Sequence, residues 1–162
     1  MKNLRFLIIV ASISSIVLGI VLATQFQIDY IHPLDEARGM LVQVQATSDP
    51  IAIHSDLDTV KRLLPVAGNP AWISPTEDTD FGIMQNDLQT MLGTVDNIAY
   101  APSWSSGFHT GMLNVHSHAT ILVFDIIDAT PYLYASPPFI LANFLWLLGT
   151  MGLASFMGIK KK

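Results

Sequence analysis

The chain runs to 162 residues, 51% of them hydrophobic, with no cysteine and a formal charge of −5. Without cysteine, disulfides are excluded and the fold must be held by its core. The acidic balance excludes the basic patches that nucleic acid or an anionic lipid surface would require.

Apolar residues pile up at the two ends. Lys2 and Arg5 precede the uncharged stretch FLIIVASISSIVLGIVLAT, residues 6–24, close to the ~20 helical residues that span a ~30 Å hydrocarbon layer. It reads as a first transmembrane helix. A cleaved signal peptide is the alternative, because Val21-Leu22-Ala23 stands before Gln25, but the run exceeds the apolar core of about 7–15 residues that such peptides carry. Ala11, Ser15 and Gly19 recur at every fourth position, a small-residue ridge along which a second helix can approach.

The middle segment, residues 25–137, holds all thirteen carboxylates and only Arg38, Lys61 and Arg62 as cations, a balance of −10. Pro33 is placed to open a helix with Leu34, Ala37, Leu41 and Val44 as its apolar stripe, and His32 before it reads as a helix-start residue at the membrane boundary. Asp49-Pro50 opens the next helix, with Ile53, Leu57, Val60 and Leu64 as its stripe; Pro65 and Gly68 end it. His54, Asp58 and Arg62 step by four along it, a solvated face with modest ion pairing.

The stretch PVAGNPAWISPTED, residues 65–78, precludes a regular element through its prolines, Gly68 and Asn69. Trp72 and Ile73 within it are expected to tuck against the helices, the alternative being a partner-docking loop.

Periodicity is strongest in TDFGIMQNDLQTMLGTVDNIAY. Phe81, Met84, Leu88, Met91, Val95 and Ile98 lay one apolar stripe along about five helical turns, with Asp78, Thr79 and Asp80 as capping candidates. Glu77, Asp78 and Asp80 lack the spacing of a calcium-binding loop. PSWSSG, with Ser103, Ser105 and Ser106, reads as an inter-helix turn that leaves Trp104 available to a partner. Beyond it Phe108, Met112, Val115, Ala119, Leu122 and Ile126 form a further seam.

A second uncharged run closes the chain and is assigned as a transmembrane helix over residues 138–159, followed by Lys160, Lys161 and Lys162. Thr150, Ala154 and Gly158 form its small-residue ridge, and Trp146, mid-span, suggests a packed position. Basic flanks stay on the cytoplasmic side. The expected layout is a cytoplasmic tail over residues 1–5, an extracytoplasmic segment over 25–137, and a second cytoplasmic tail over 160–162. With such short flanks, no cytoplasmic effector is expected in this chain.

The fold class is therefore mainly α: two transmembrane helices flanking an extracytoplasmic antiparallel bundle of about four helices. A small mixed α/β domain is the alternative, since LVQVQAT alternates and TILVFDII is rich in β-branched residues.

His109, His116 and His118 crowd ten positions. On a helix the first two share a face but stand ~10 Å apart, and the last two point to opposite sides. A zinc or copper site would need them to meet His54 or a carboxylate, and no HExxH or Glu-x-x-His pair supports one. They read as polar interruptions of an apolar seam. Nothing resembles a phosphate loop, a nucleophile elbow or a dinucleotide fingerprint.

No catalytic residue and no cofactor is expected. The chain reads as a bilayer-anchored, non-enzymatic protein acting by association, as an accessory or scaffold subunit of a membrane complex or as a homo-oligomer. The contact residues would be the two small-residue ridges together with Trp72 and Trp104. A metal- or small-ligand-binding module using His54, His109, His116 and His118 with zinc or copper is one alternative; a sensory input domain signalling laterally to a separate transducer is another.

Overall fold

The computed structural model describes residues 2–159. Its elements are α1 (Lys2–Phe26), a π-helical turn (Gln27–Ile31), α2 (His32–Ala46), α3 (Pro50–Leu63), a short 3-10 turn (Glu77–Thr79), α4 (Phe81–Ala99), α5 (Ser106–Leu133) and α6 (Pro137–Ile159). The chain is mainly helical, and no strand occurs among the described residues. LVQVQAT falls in α2 and its C-terminal cap, and TILVFDII in α5, so neither forms the sheet weighed as an alternative. Two helical runs are long and apolar enough to cross a membrane, Arg5–Ala46, whose apolar part lies in α1, and Pro137–Met157 in α6. The expected tail at residues 160–162 lies outside the described residues.

Two compact units make up the chain, one from residues 1–30 with 134–162, the other from Ile31–Leu133. In the second, α2 packs on α3 and α5, and α4 packs on α3 and α5, so four helices close around one core. Each predicted stripe is that core. Leu34, Ala37, Leu41 and Val44 are buried, as are Ile53, Leu57, Val60 and Leu64, the α4 set from Phe81 to Ile98, and the α5 set from Met112 to Ile126. Phe108 alone of the predicted stripes is only half-buried.

Local chemistry sets the helix ends. The Asp49 carboxylate accepts the N–H of Ile51 at 3.0 Å, opening α3 with Pro50 in its first turn. Asp80 accepts from Gly82 at 2.7 Å and Ile83 at 3.3 Å, opening α4. These side-chain oxygens satisfy amide groups that a helix N-terminus leaves without intrahelical partners. The π-helical turn ends at Ile31, two positions before Pro33, whose ring nitrogen has no hydrogen to give to the preceding turn.

Side chains fix the direction in which the helices run. His54 faces Asp96 at 3.4 Å, Lys61 bonds Gln89, and the Gln85 amide donates to the carbonyls of Lys61 and Leu64, both at 3.0 Å. As α3 advances its α4 partners recede, so α4 runs back along α3. In the same way Ile98, at the end of α4, meets Gly111 at the start of α5, and the His116 ring bonds the carbonyl oxygen of Thr47, just past the end of α2, at 3.0 Å. The loop over residues 64–80 therefore lies at the end of this unit where the chain arrives at Ile31 and departs at Leu133. Residues 47–49 and 100–105 lie at the opposite end.

In the other unit α1 packs on α6. A Cβ built on Gly19 would stand 2.8 Å from the carbonyl oxygen of Ala142 and 2.9 Å from the Trp146 nitrogen; one on Gly149 would stand 2.6 Å from the Ser12 oxygen. Gly152 lies against the Ser12 hydroxyl. The Ser15 hydroxyl donates to the Leu145 carbonyl at 2.7 Å, a bond 130 positions apart in sequence. Helix backbones approach this closely only where side chains are minimal.

Candidate interaction surfaces

The α1–α6 contact uses part of the predicted ridges. Ser15 and Gly19 face α6, whereas Ala11 is exposed and Ser12, one position on, is buried. On α6 the buried positions among the described residues are Ala142 and Gly149. Thr150 is half-buried and bonds back to the Leu147 carbonyl at 2.8 Å, Ala154 is exposed, and the burial of Gly158 lies outside the described residues. Trp146 presents its backbone to Gly19 while its side chain is largely exposed. Contacting positions on α6 step by three and four, through 142, 145, 149 and 152, which is the spacing of a left-handed helix pair. The every-fourth spacing read from the sequence is that of a right-handed crossing.

Where α1 ends and α6 begins, aromatic rings gather. Phe26 stacks on Tyr30 with centroids 5.2 Å apart and meets Phe139 at 5.2 Å, and Phe139 meets Tyr134 at 5.1 Å. A groove of about 390 Å³ beside them is lined by Leu22, Phe26, Tyr30, Pro137, Pro138 and Leu141.

Trp72 and Ile73 do not tuck against the helices. They are 62% and 77% exposed, with Val66 at 84%. The interior position of that loop is taken by Ala71, which is fully buried and whose amide bonds the Asn69 side chain at 2.9 Å. The Asn69 side chain also accepts from the Thr79 hydroxyl at 2.8 Å and donates to the Thr76 carbonyl at 2.8 Å. Gly68, the one residue with positive φ among those described (112°), lets its carbonyl accept the Phe81 amide at 3.0 Å. The loop is thus pinned at both ends and by Ala71, with residues 72–75 carried outward between the pins.

Trp104 is exposed as well, at 82%, and Tyr100 in the same turn reaches 93%. They belong to the opposite end of the four-helix unit from Trp72, so the two tryptophans cannot share one docking surface. Next to Tyr100, Pro50, Ile51, His54, Val95, Asp96 and Ala99 line a shallow groove of about 410 Å³. Tyr100 and Ile51 were invisible as candidates in the sequence because each sits at a helix end, outside any stripe.

The histidines are dispersed. His54 pairs with Asp96, His116 bonds the Thr47 carbonyl, His109 is exposed beside Phe108, and His118 is half-buried. No group of three metal-ligating side chains converges among the described residues. Asp58 and Arg62 pair at 3.7 Å on the solvated face expected of them.

Asp125 of α5 carries no sequence motif, yet its environment is unusual. Burial, and then the charges of Asp78, Asp87 and Asp128, push its carboxyl from 3.8 to about 6. It holds a proton under mildly acidic conditions where an ordinary carboxylate does not.

No protein-family model, curated protein or solved structure matches the chain.

Proposed function

We propose that α1 and α6 cross a bilayer as a helical pair, with both ends of the chain cytoplasmic. In this reading α2–α5 form an extracytoplasmic antiparallel bundle that acts by association, as an accessory or scaffold subunit of a membrane complex. What supports the membrane reading is the exposure of large apolar residues outside the shared α1–α6 face, among them Phe6, Leu7, Val17, Phe144 and Leu148. A core helix of a water-soluble protein buries such residues. The sequence adds Lys2 and Arg5 at one end, Lys160 to Lys162 at the other, and an acidic middle.

The observation that carries association is the far end of the bundle, where Tyr100, Trp104 and Ile51 are almost wholly exposed beside a groove. Covering a side chain of this size gains about 2–3 kcal/mol, and aromatic anchors dominate protein interfaces. The partner is a protein whose surface takes an aromatic pair.

The test is cross-linking and affinity purification of the full chain from its native membrane. A stoichiometric partner is expected, and Tyr100→Ala with Trp104→Ala should release it while leaving circular dichroism and melting unchanged. Recovery of the chain alone, or a partner retained by the double variant, overturns the reading.

A further inference from the structure

We propose that the groove between the end of α1 and the start of α6 holds one phospholipid whose headgroup ends in a primary ammonium, with Asp29 binding the ammonium and Gln25 the phosphate. The inference rests on the membrane-spanning reading of α1 and α6 and deepens it, by naming a ligand for that helix pair.

Polarity along the groove is the first argument. The groove, about 390 Å³, is formed wholly within the α1–α6 unit, and its size is that of a small-molecule site. Leu22 and Leu141, which belong to the two apolar runs, form part of its wall; Gln25 and Asp29, beyond the run that ends at Thr24, line it too. From Leu22 to Asp29 is about 10 Å of helix at ~1.5 Å per residue, and the headgroup region adds about 5–8 Å to each side of the hydrocarbon. Asp29 therefore stands at headgroup depth when Leu22 stands in hydrocarbon. An occupant with apolar chains inward and a polar head outward matches this gradient. A water-soluble amine would leave Leu22 and Leu141 unmatched.

Charge is the second. Asp29 is the only aspartate, glutamate, lysine, arginine or histidine in residues 6–30 and 134–159. Its carboxylate has no ion-pair partner among the described residues, and the next cation along the chain, Arg38, is held by Asp35 at 3.3 Å. Close to hydrocarbon, where screening by water falls, such a carboxylate attracts a cationic group and repels an anionic one. Gln25 lies four residues before it, on the same helix face, and its side-chain amide is a donor for phosphate oxygens. Going outward, Gln25 comes before Asp29, as phosphate comes before ammonium in a zwitterionic lipid.

The rings select the kind of ammonium. Phe26 is buried and stacks on Tyr30 with the planes 26° apart, so the two rings cover one another instead of splaying into the cage that a quaternary ammonium requires. A primary ammonium needs no cage. Its N–H groups donate to the Asp29 carboxylate as a charge-assisted pair.

The full-length chain is tested in micelles with phosphatidylethanolamine, phosphatidylcholine or phosphatidylglycerol of identical acyl chains, and retained lipid is read by native mass spectrometry. One phosphatidylethanolamine should be retained ~tenfold better than either of the others, the scale of a hydrogen-bonded charge. Asp29→Asn should abolish that preference and Asp29→Lys should turn it towards phosphatidylglycerol, with circular dichroism unchanged in both. Carbonate extraction of the same chain from liposomes tests the spanning reading separately. If the chain resists extraction but retains the three lipids equally, or if Asp29→Asn keeps the preference, the inference is overturned with the spanning reading intact. If carbonate releases the chain, the spanning reading fails and takes the inference with it.

Discussion

Gly19 and Ala142 touch backbone to backbone: a Cβ on the glycine would stand 2.8 Å from the alanine carbonyl oxygen. No rotamer change relieves such a clash, because neither atom belongs to a flexible side chain. Gly19→Leu should therefore part α1 from α6 and break the Ser15–Leu145 hydrogen bond, at a cost of about 1–3 kcal/mol from overpacking. Thermal unfolding of the full chain in micelles checks it. Ala11→Leu and Ala154→Leu, at exposed positions, should leave the midpoint unchanged. A loss at Ala11 equal to that at Gly19 would mean that the every-fourth ridge, and not the observed face, carries the packing.

Gly111 and Ile98 lock α4 to α5 by a related device, with a difference. Here the obstacle is a side chain, but a β-branched one that has little freedom at χ1. Gly111→Ala gains up to about 1 kcal/mol of helix propensity, yet it drives the new methyl into the Ile98 Cγ2. The net expectation is destabilisation of about 1 kcal/mol. In an Ile98→Ala background the same substitution should become neutral or stabilising, and a double-mutant cycle from urea unfolding measures the coupling.

Gln85 closes the far end of α3. Its amide donates to the carbonyls of Lys61, Leu64 and Pro65, at 3.0, 3.0 and 3.3 Å, oxygens that a helix C-terminus leaves without partners. Gln85→Ala should cost about 1–2 kcal/mol. Gln85→Glu should cost more, since a carboxylate cannot donate and meets the negative end of the helix dipole. Hydrogen exchange over residues 61–69 should rise in both variants; equal protection in wild type and Gln85→Glu would show the cap to be energetically idle.

The helices were legible because each stripe is written locally: Leu34 to Val44, or Phe81 to Ile98, needs only the 3.6-residue period and one neighbouring helix. The packing face of the two apolar helices was harder. Ala11, Ser12, Ser15 and Gly19 contain both an every-fourth and a three-four pattern of small residues, and only the partner's Gly149 and Gly152 select between them. Trp72 was misplaced for a different reason. Hydrophobicity argues inward for it, but Ala71 fills the single interior position that the Asn69–Thr79 hydrogen bond leaves. Asp125 reads as one more polar residue until Asp78 and Asp87 are brought to it from elsewhere in the chain.

That carboxyl sets a pH dependence whose sign is fixed by linkage. Asp125 is held above its ordinary value, to about 6, by burial first and then by Asp78, Asp87 and Asp128. Between pH 4 and 6 the folded chain thus keeps a proton that the unfolded chain has released, so stability falls as pH rises through this window. The contribution is full below about pH 4 and gone above about pH 6. Because the side chain is partly exposed and solvent screens its neighbours, the change amounts to about 1 kcal/mol, smaller than the same rise would mean in a dry site. Asp125→Asn, neutral throughout, should raise the melting midpoint at pH 7.5 and flatten its slope between pH 4 and 6, and Asp87→Asn should do part of the same by removing one repelling charge. Melting curves for the three proteins across that range decide the matter: a wild-type slope that survives Asp125→Asn places the titrating group elsewhere.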